Sequence, residues 1–265
     1  MFKKTALITA VAALTVSTVN AATISENFET SVGSTPPAGW TFFAPGSSPT
    51  PTYTTGTGYN GSTLGGTITS NSVDGTFNRL PGGYIVNTGS TAFDATQLIT
   101  GSFDFIADSG AFYPGGAFMM GDIQAGFTGS DAGQLVMARL LKQTFGNSAS
   151  ISDGTGNDVV TGLSGIGQNW YQVEFSWTPT SGTTGDFSFT VKTTSGTTVG
   201  TLTTTGYTLD SPNVYFGFGA AQPSAYGPAP VTYDNISITG TEVPEPSSLA
   251  LLGLGGLLIA RRRRG

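Results

Sequence analysis

Tyr171-Gln172-Val173-Glu174-Phe175-Ser176-Trp177 decides the fold class. Apolar and polar residues alternate strictly along it, the period of a strand with one buried face and one wet face. Working outward, Phe187, Phe189 and Val191 alternate with Ser188, Thr190 and Lys192. Phe103, Phe105 and Ala107 repeat the pattern, as do Val214, Phe216 and Phe218, and again Ile236 and Ile238. Turn signals separate these runs: Gly82-Gly83, Ser109-Gly110, Gly129-Ser130, Asp153-Gly154, Ser181-Gly182 and Ser195-Gly196. This rhythm predicts an all-β antiparallel sandwich rather than a βαβ architecture. The stretch Ala132 to Thr144 is helical by propensity, but its neighbours favour a strand pair. Gly33 to Gly66, rich in Pro, Ser, Thr and Gly, reads as a long irregular surface loop. Thr239 to Ser248 reads as a linker.

Composition supports the same class. The 265 residues include 39 Gly, 14 Pro and 42 Thr, with no Cys and no His. Threonine suits solvent-facing strand positions, where its β-branch fits the extended backbone. Charged residues make up 10%, against about a quarter in ordinary globular domains. Aromatics at 11% argue against a disordered chain. Without the two ends, about 220 residues remain, enough for one substantial core. Lacking His and Cys, the chain has no Ser-His-Asp or Cys-His nucleophile system, no ordinary zinc site and no disulfide scaffold. What survives is carboxylate chemistry, oxygen-ligand metal binding, or no chemistry.

Both ends read as addresses. Lys3 and Lys4, the apolar run Ala6 to Val16, and Val19-Asn20-Ala21 form the three parts of a secretory signal. Signal peptidase cleavage is expected after Ala21, with Ala22 as the alternative, giving a signal helix over 1–21. At the other end Val243-Pro244-Glu245-Pro246 and Ser247-Ser248 precede an apolar run, Leu249 to Ala260, and then Arg261, Arg262, Arg263 and Arg264. As a helix that run covers about 18 Å, short of a ~30 Å hydrocarbon core. It reads as a short transmembrane helix with its arginines held cytoplasmic as a basic anchor. The prolines keep Glu245 on an extended stem just outside the bilayer.

This tail resembles the PEP-CTERM sorting signal of Gram-negative bacteria: Pro-Glu-Pro, a short hydrophobic helix and a terminal basic cluster. The resemblance covers residues 242–265, with the motif at 243–248, the helix at 249–260 and the basic cluster at 261–264. It implies an inner-membrane-anchored precursor processed by an exosortase, in organisms that make exopolysaccharide. The product is then destined for the cell envelope or extracellular matrix. The domain between the ends, 22–241, is expected to be a single β-sandwich. Net charge is −6 for the precursor. Losing Lys3 and Lys4 makes it −6 − 2 = −8, and losing the four tail arginines makes it −8 − 4 = −12. Only Arg79, Arg139, Lys142 and Lys192 remain as cations, which argues against nucleic acid as a partner.

The body resembles concanavalin A-like and cleaved-adhesin jelly rolls at two points. Phe28-Glu29 with Pro36-Pro37-Ala38-Gly39-Trp40 is similar to their opening, and Tyr233-Asp234-Asn235-Ile236-Ser237-Ile238 to their closing strand. The resemblance implies a jelly roll whose first and last strands pair. It also implies a structural calcium ion tying them together, with Glu29 and Asp234 at the matching positions. Independently, Asp234 shares parity with Ile236 and Ile238, which would aim a carboxylate at the apolar side. That is costly unless a metal or hydrogen bond satisfies it. The competing reading is that Asp234 caps a turn through neighbouring backbone amides.

Little points to catalysis. The body has three glutamates, Glu26, Glu29 and Glu174, and none shows the spacing of a retaining glucanase pair. Glu174 reads as a solitary solvated carboxylate. Asp153 to Val160 overlaps one calcium-binding nonapeptide, but a single copy reads better as a Gly-rich hairpin loop. Loop aromatics Trp40, Tyr53, Tyr59, Tyr113 and Tyr226 are the candidates for stacking on sugar rings. Trp170 and Trp177 read as core. The expected function is a non-catalytic, exported protein that works with extracellular polysaccharide. A carbohydrate-active enzyme, a glycoside hydrolase or lyase on a concanavalin A-like fold, is the alternative.

Overall fold

The computed structural model describes residues 21–31, 33–44, 52–59, 64–70, 83–89, 92–107, 115–123, 136–141, 148–152, 158–164, 169–221 and 229–243. The expected terminal helices, 1–21 and 249–260, and the basic cluster lie outside these residues, Ala21 excepted. Within them every regular element is a strand. In chain order the first are β1 (Ala21–Glu26), β2 (Thr41–Phe43), β3 (Thr52–Gly56), β4 (Gly65–Ser70) and β5 (Gly83–Val86). Next come β6 (Phe93–Asp94), β7 (Ile99–Ala107), β8 (Gly115–Gly121), β9 (Val136–Leu141), β10 (Ser148–Ser152) and β11 (Asp158–Ser164). The chain continues with β12 (Tyr171–Ser181), β13 (Thr184–Thr193), β14 (Thr198–Thr208), β15 (Asn213–Ala221) and β16 (Ala229–Thr241).

The strands form two antiparallel sheets. The first runs β14-β13-β12-β7-β16-β4-β3, with β1 also beside β16; the second runs β11-β10-β9-β8-β15-β5-β2, with β6 beside β15. First and last strands therefore pair, from Ala21↔Thr241 to Glu26↔Ile236. Gly182 and Gly196 make the β12–β13 and β13–β14 turns with φ of +55° and +83°. Glycine enters that left-handed region without a Cβ penalty.

The alternation read from the sequence is the alternation that folds. Tyr171, Val173, Phe175 and Trp177 are buried along β12, and Phe187, Phe189 and Val191 along β13. They meet Phe118 of the second sheet, whose ring lies 4.5 Å from Phe175, 5.5 Å from Phe103 and 5.6 Å from Phe218, centre to centre. Two polar atoms are satisfied inside this apolar layer. Trp177 Nε1 donates to the Ala95 carbonyl at 2.7 Å. Tyr233 Oη on β16 donates to the Gly219 carbonyl at 2.6 Å and accepts from the Ala117 amide at 3.0 Å, joining the sheets. Burial pushes the Tyr233 phenol far up, so it stays a neutral donor.

Three expectations need correction. Gly33 to Gly66 is not one loop, because it supplies β2, β3 and the start of β4. Alternating threonines in Thr52-Tyr53-Thr54 bury Tyr53 and let that stretch pair with β4. Thr239 to Ser248 is not wholly linker. β16 runs to Thr241, Glu242 bridges to Phe93, and the Val243 amide donates to the Ala92 carbonyl at 2.9 Å. Of Ala132 to Thr144, the described part is one strand, β9, paired with β8 and β10. The Gly-rich stretch after Ser152 joins the antiparallel pair β10 and β11, though residues 153–157 lie outside the described set.

Phe189 is fully buried against Phe103, Phe118 and Phe187. Phe189→Ala should destabilise the body by about 3–5 kcal/mol in denaturant unfolding, the usual cost of an emptied phenylalanine site. A loss near zero would contradict this packing.

Candidate functional site

Asp234 does not point into the apolar layer. A bulge between Asp234 and Ser237 breaks the parity that links it to Ile236 and Ile238. Asn235 sits in the bulge at φ +48°, a region Asn enters more readily than most residues. Asp234 is instead in register with Asp104 of β7, on the outer side shared with Thr100 and Ser102.

It is nevertheless fully buried, because the segment after β3 covers it. The Tyr59 amide donates to Oδ2 and the Asn235 amide to Oδ1, both at 2.7 Å. Asp104, also buried, accepts from Asn235 Nδ2 at 2.9 Å. Beside them Glu26 Oε1 accepts the Phe28 amide at 2.5 Å. Phe28, at φ +59°, and Asn235 are the two non-glycine residues with positive φ among those described. Such conformations cost about 1–3 kcal/mol each, and here both amides are held by carboxylates. Burial raises the pKa of Glu26 and of Asp104; the Asp234 charge adds to both, while hydrogen bonds oppose the rise.

Glu29 lies at the other end of the same covering segment, accepting the Leu64 amide at 3.2 Å. Glu29 and Asp234, the pair singled out for calcium, thus hold amides on either side of residues 60–63. Among the described residues no group of three or more His, Cys, Asp or Glu is placed to hold a metal ion.

Fixing the Tyr59 amide fixes an aromatic pair. The Tyr59 ring lies 5.5 Å from that of Trp170, inclined at 56°. Asn169, Tyr171, Thr193 and Thr194 complete a cleft of about 490 Å³ around them. That volume falls within the usual range for small-ligand sites. Trp170 is half-buried rather than core, a difference its place just before β12 did not signal. Trp177 is core as expected. Trp40 and Tyr53 are buried, which removes them as exposed stacking residues. Tyr113 and Tyr226 lie outside the described residues. Glu174 is not solitary, since Lys192 Nζ reaches its Oε1 at 2.5 Å.

The sorting motif overlaps the last described residues of the body. Val243 still packs on the second sheet's apolar cluster. Pro244, Glu245, Pro246 and the arginines 261–264 lie outside the described residues. Only Pro244 to Ser248 separates docked backbone from the apolar run, a reach of at most ~18 Å. At the other end, the expected cleavage after Ala21 would remove one β1–β16 pairing, and cleavage after Ala22 would remove two.

The raised carboxylates set a pH dependence. A carboxyl whose folded pKa is raised binds its proton more readily folded than unfolded. Its contribution to stability therefore grows as pH falls from the raised value toward the ordinary ~4. Asp104→Asn keeps an acceptor for Asn235 and removes one charge. It should raise the melting temperature at neutral pH and flatten the dependence between neutral and mildly acidic pH. A lower melting temperature for the variant at neutral pH would contradict this.

Comparison with known proteins agrees with this layout. Residues 242–264 match the family model of the PEP-CTERM protein-sorting motif. No curated protein matches the chain. Among solved structures, peanut lectin with a nine-residue peptide superposes with a TM-score of 0.52 at 14% identity, covering 84% of this chain and 100% of that one. A protein of unknown function from Shewanella oneidensis gives 0.56 at 14%, covering 91% and 97%. The Bauhinia forficata lectin in complex with GalNAc gives 0.52 at 11%, covering 84% and 99%. At these identities the likeness is one of fold. The chain carries a PEP-CTERM sorting motif at residues 242–264, behind a body with the two-sheet fold of lectins.

Proposed function

We propose that the body is a non-catalytic carbohydrate-binding domain, exported and handed by exosortase processing to the cell envelope or extracellular matrix. The sorting motif implies an exported, membrane-anchored precursor. The single observation that carries the binding half is the Tyr59–Trp170 cleft. Aromatic faces receive the C–H face of a sugar ring, while Asn169, Thr193 and Thr194 offer partners for its hydroxyls. Extracellular polysaccharide is the partner class this chemistry fits.

A hydrolase or lyase reading would place its acid at Asp104, whose pKa is raised by burial and further by the Asp234 charge. Both carboxylates are sealed from solvent, and both hold hydrogen bonds from the protein. That favours a scaffolding role, in which Asp234 positions Tyr59 and Asp104 holds Asn235. A calcium ion shared by Glu29 and Asp234 would act in the same structural way, holding the covering segment. Chelation decides it: a lowered melting temperature supports the ion, and an unchanged one removes it.

Two outcomes test the proposal. Trp170→Ala should abolish retention on a neutral polysaccharide column while leaving the melting temperature close to wild type. Retention equal to wild type would remove the cleft from the function. Glu245→Ala should leave the body folded and keep the protein in the inner-membrane fraction, with arginines 261–264 still present by intact mass. Equal release of variant and wild type would remove the motif from processing.

A further inference from the structure

The outer face of the first sheet carries hydroxyl groups in rows that cross six strands. One row, read through the strand registers, is Thr23, Thr239, Thr100, Ser176, Ser188 and Thr203. The next is Ser25, Ser237, Ser102, Glu174, Thr190 and Thr201. Neighbours in a row stand ~4.8 Å apart and successive rows ~7 Å apart, as sheet geometry sets them. A shallow depression of about 480 Å³ lies across the middle of both rows. Small outward side chains leave it open, because their neighbours on the inner side carry the bulk.

This depression is continuous in register with the aromatic cleft. Outward positions on β12 are Ser176, Glu174 and Gln172, and the same parity carried one step back reaches Trp170. On β13 the matching positions are Ser188, Thr190 and Lys192, followed by Thr194. Trp170, Thr193 and Thr194 line the cleft with Tyr59. From Trp170 to Ser176 the strand advances ~20 Å, the reach of a short oligosaccharide rather than of one sugar. Among the described residues of this stretch, the charges are Glu174 and Lys192, which pair with each other, and the buried Asp104 and Asp234. Among the described residues no unpaired cation stands there to meet an acidic polymer. The net negative charge of the processed chain would also repel one.

We infer that the outer face of the first sheet is a track for a single neutral polysaccharide chain. The chain lies along β12 and β13, anchored by stacking at Tyr59–Trp170 and hydrogen-bonded over the two hydroxyl rows. This rests on the carbohydrate-binding reading above and extends it from one cleft to a polymer site. Hydroxyls both donate and accept, so the rows match a ligand that does the same at every ring. The hydrogen bonds already present between row members, such as Thr190 with Thr201 at 2.9 Å, hold side chains in fixed rotamers before binding.

The test is isothermal titration of the purified full chain in a detergent without a sugar headgroup. The titrants are neutral gluco- and galacto-oligosaccharides, from disaccharide to hexasaccharide. Affinity should rise about tenfold or more with length, in wild type only. The double variant Thr100→Val with Thr239→Val keeps the β-branched shape and removes two hydroxyls. It should bind the disaccharide as wild type does and lose most of the gain with length. Trp170→Ala should lose binding at every length. Disaccharide binding with no gain on lengthening would overturn the track and leave the cleft reading standing. Absence of binding by any wild-type titration would overturn both. If the rows instead seat a second copy, wild type would sediment as a dimer and the double variant as a monomer, which also overturns the track.

Discussion

Phe118 sits where the two sheets must meet, and its ring touches partners from both of them. A strand has period two, so every ring turned toward Phe118 turns its neighbours the other way. Phe175, Phe187 and Phe189 go in, and Glu174, Ser176, Ser188 and Thr190 go out. Packing an aromatic layer thus dictates the chemistry of the outer surface. The register then lines up those outward side chains from strand to strand. With few charges to spend, the sequence fills them mainly with Thr and Ser, which serve the strand backbone as well as the solvent. Tyr233 and Trp177 fix the spacing of the layer by satisfying their polar atoms inside it.

Most of this architecture was legible because alternation is a local signal. The runs around Phe103, Val173, Phe189 and Phe216 each announce a strand and a buried face without knowledge of any partner. The errors occur where one residue breaks the period. A bulge at Asn235 reverses the side on which Asp234 emerges, and sequence parity across it misleads. Trp170 stands one step before its strand, so its half-exposed position depends on where the Tyr59 segment lies. The strands within Gly33 to Gly66 are short and rich in Thr and Gly, and pairing rather than pattern makes them strands. Asp104 lies between Phe103 and Phe105, a pattern that any ordinary outward strand residue shares. Only the register places it opposite Asp234.

The two ends of the body meet in this fold. Pairing of β1 with β16 sets Ala21 and Ala22, where signal cleavage is expected, beside the strand that leads into the sorting motif. Docking of Glu242 and Val243 then leaves a tether of only a few residues before the apolar run. A membrane-anchored precursor, as the sorting motif implies, would therefore hold the body close to the bilayer. The carboxylates Glu26, Asp104 and Asp234 belong to the same part of the first sheet, where Asp234 holds the Tyr59 amide, Asp104 holds the Asn235 side chain and Glu26 holds the Phe28 amide. The strained backbone at Phe28 and Asn235 is concentrated there and not in the hydroxyl rows, which keep regular strand geometry.

The central claim is that inward aromatic packing creates a defined outward surface for a neutral glycan. Threonine-methyl and tryptophan-indole NMR spectra, recorded while such a glycan is added, test it most directly. The account predicts shifts at Thr100, Thr190, Thr239 and the Trp170 indole, with the buried Trp177 indole unchanged. Shifts confined to residues of the second sheet, or an unperturbed Trp170 at saturating glycan, would contradict it.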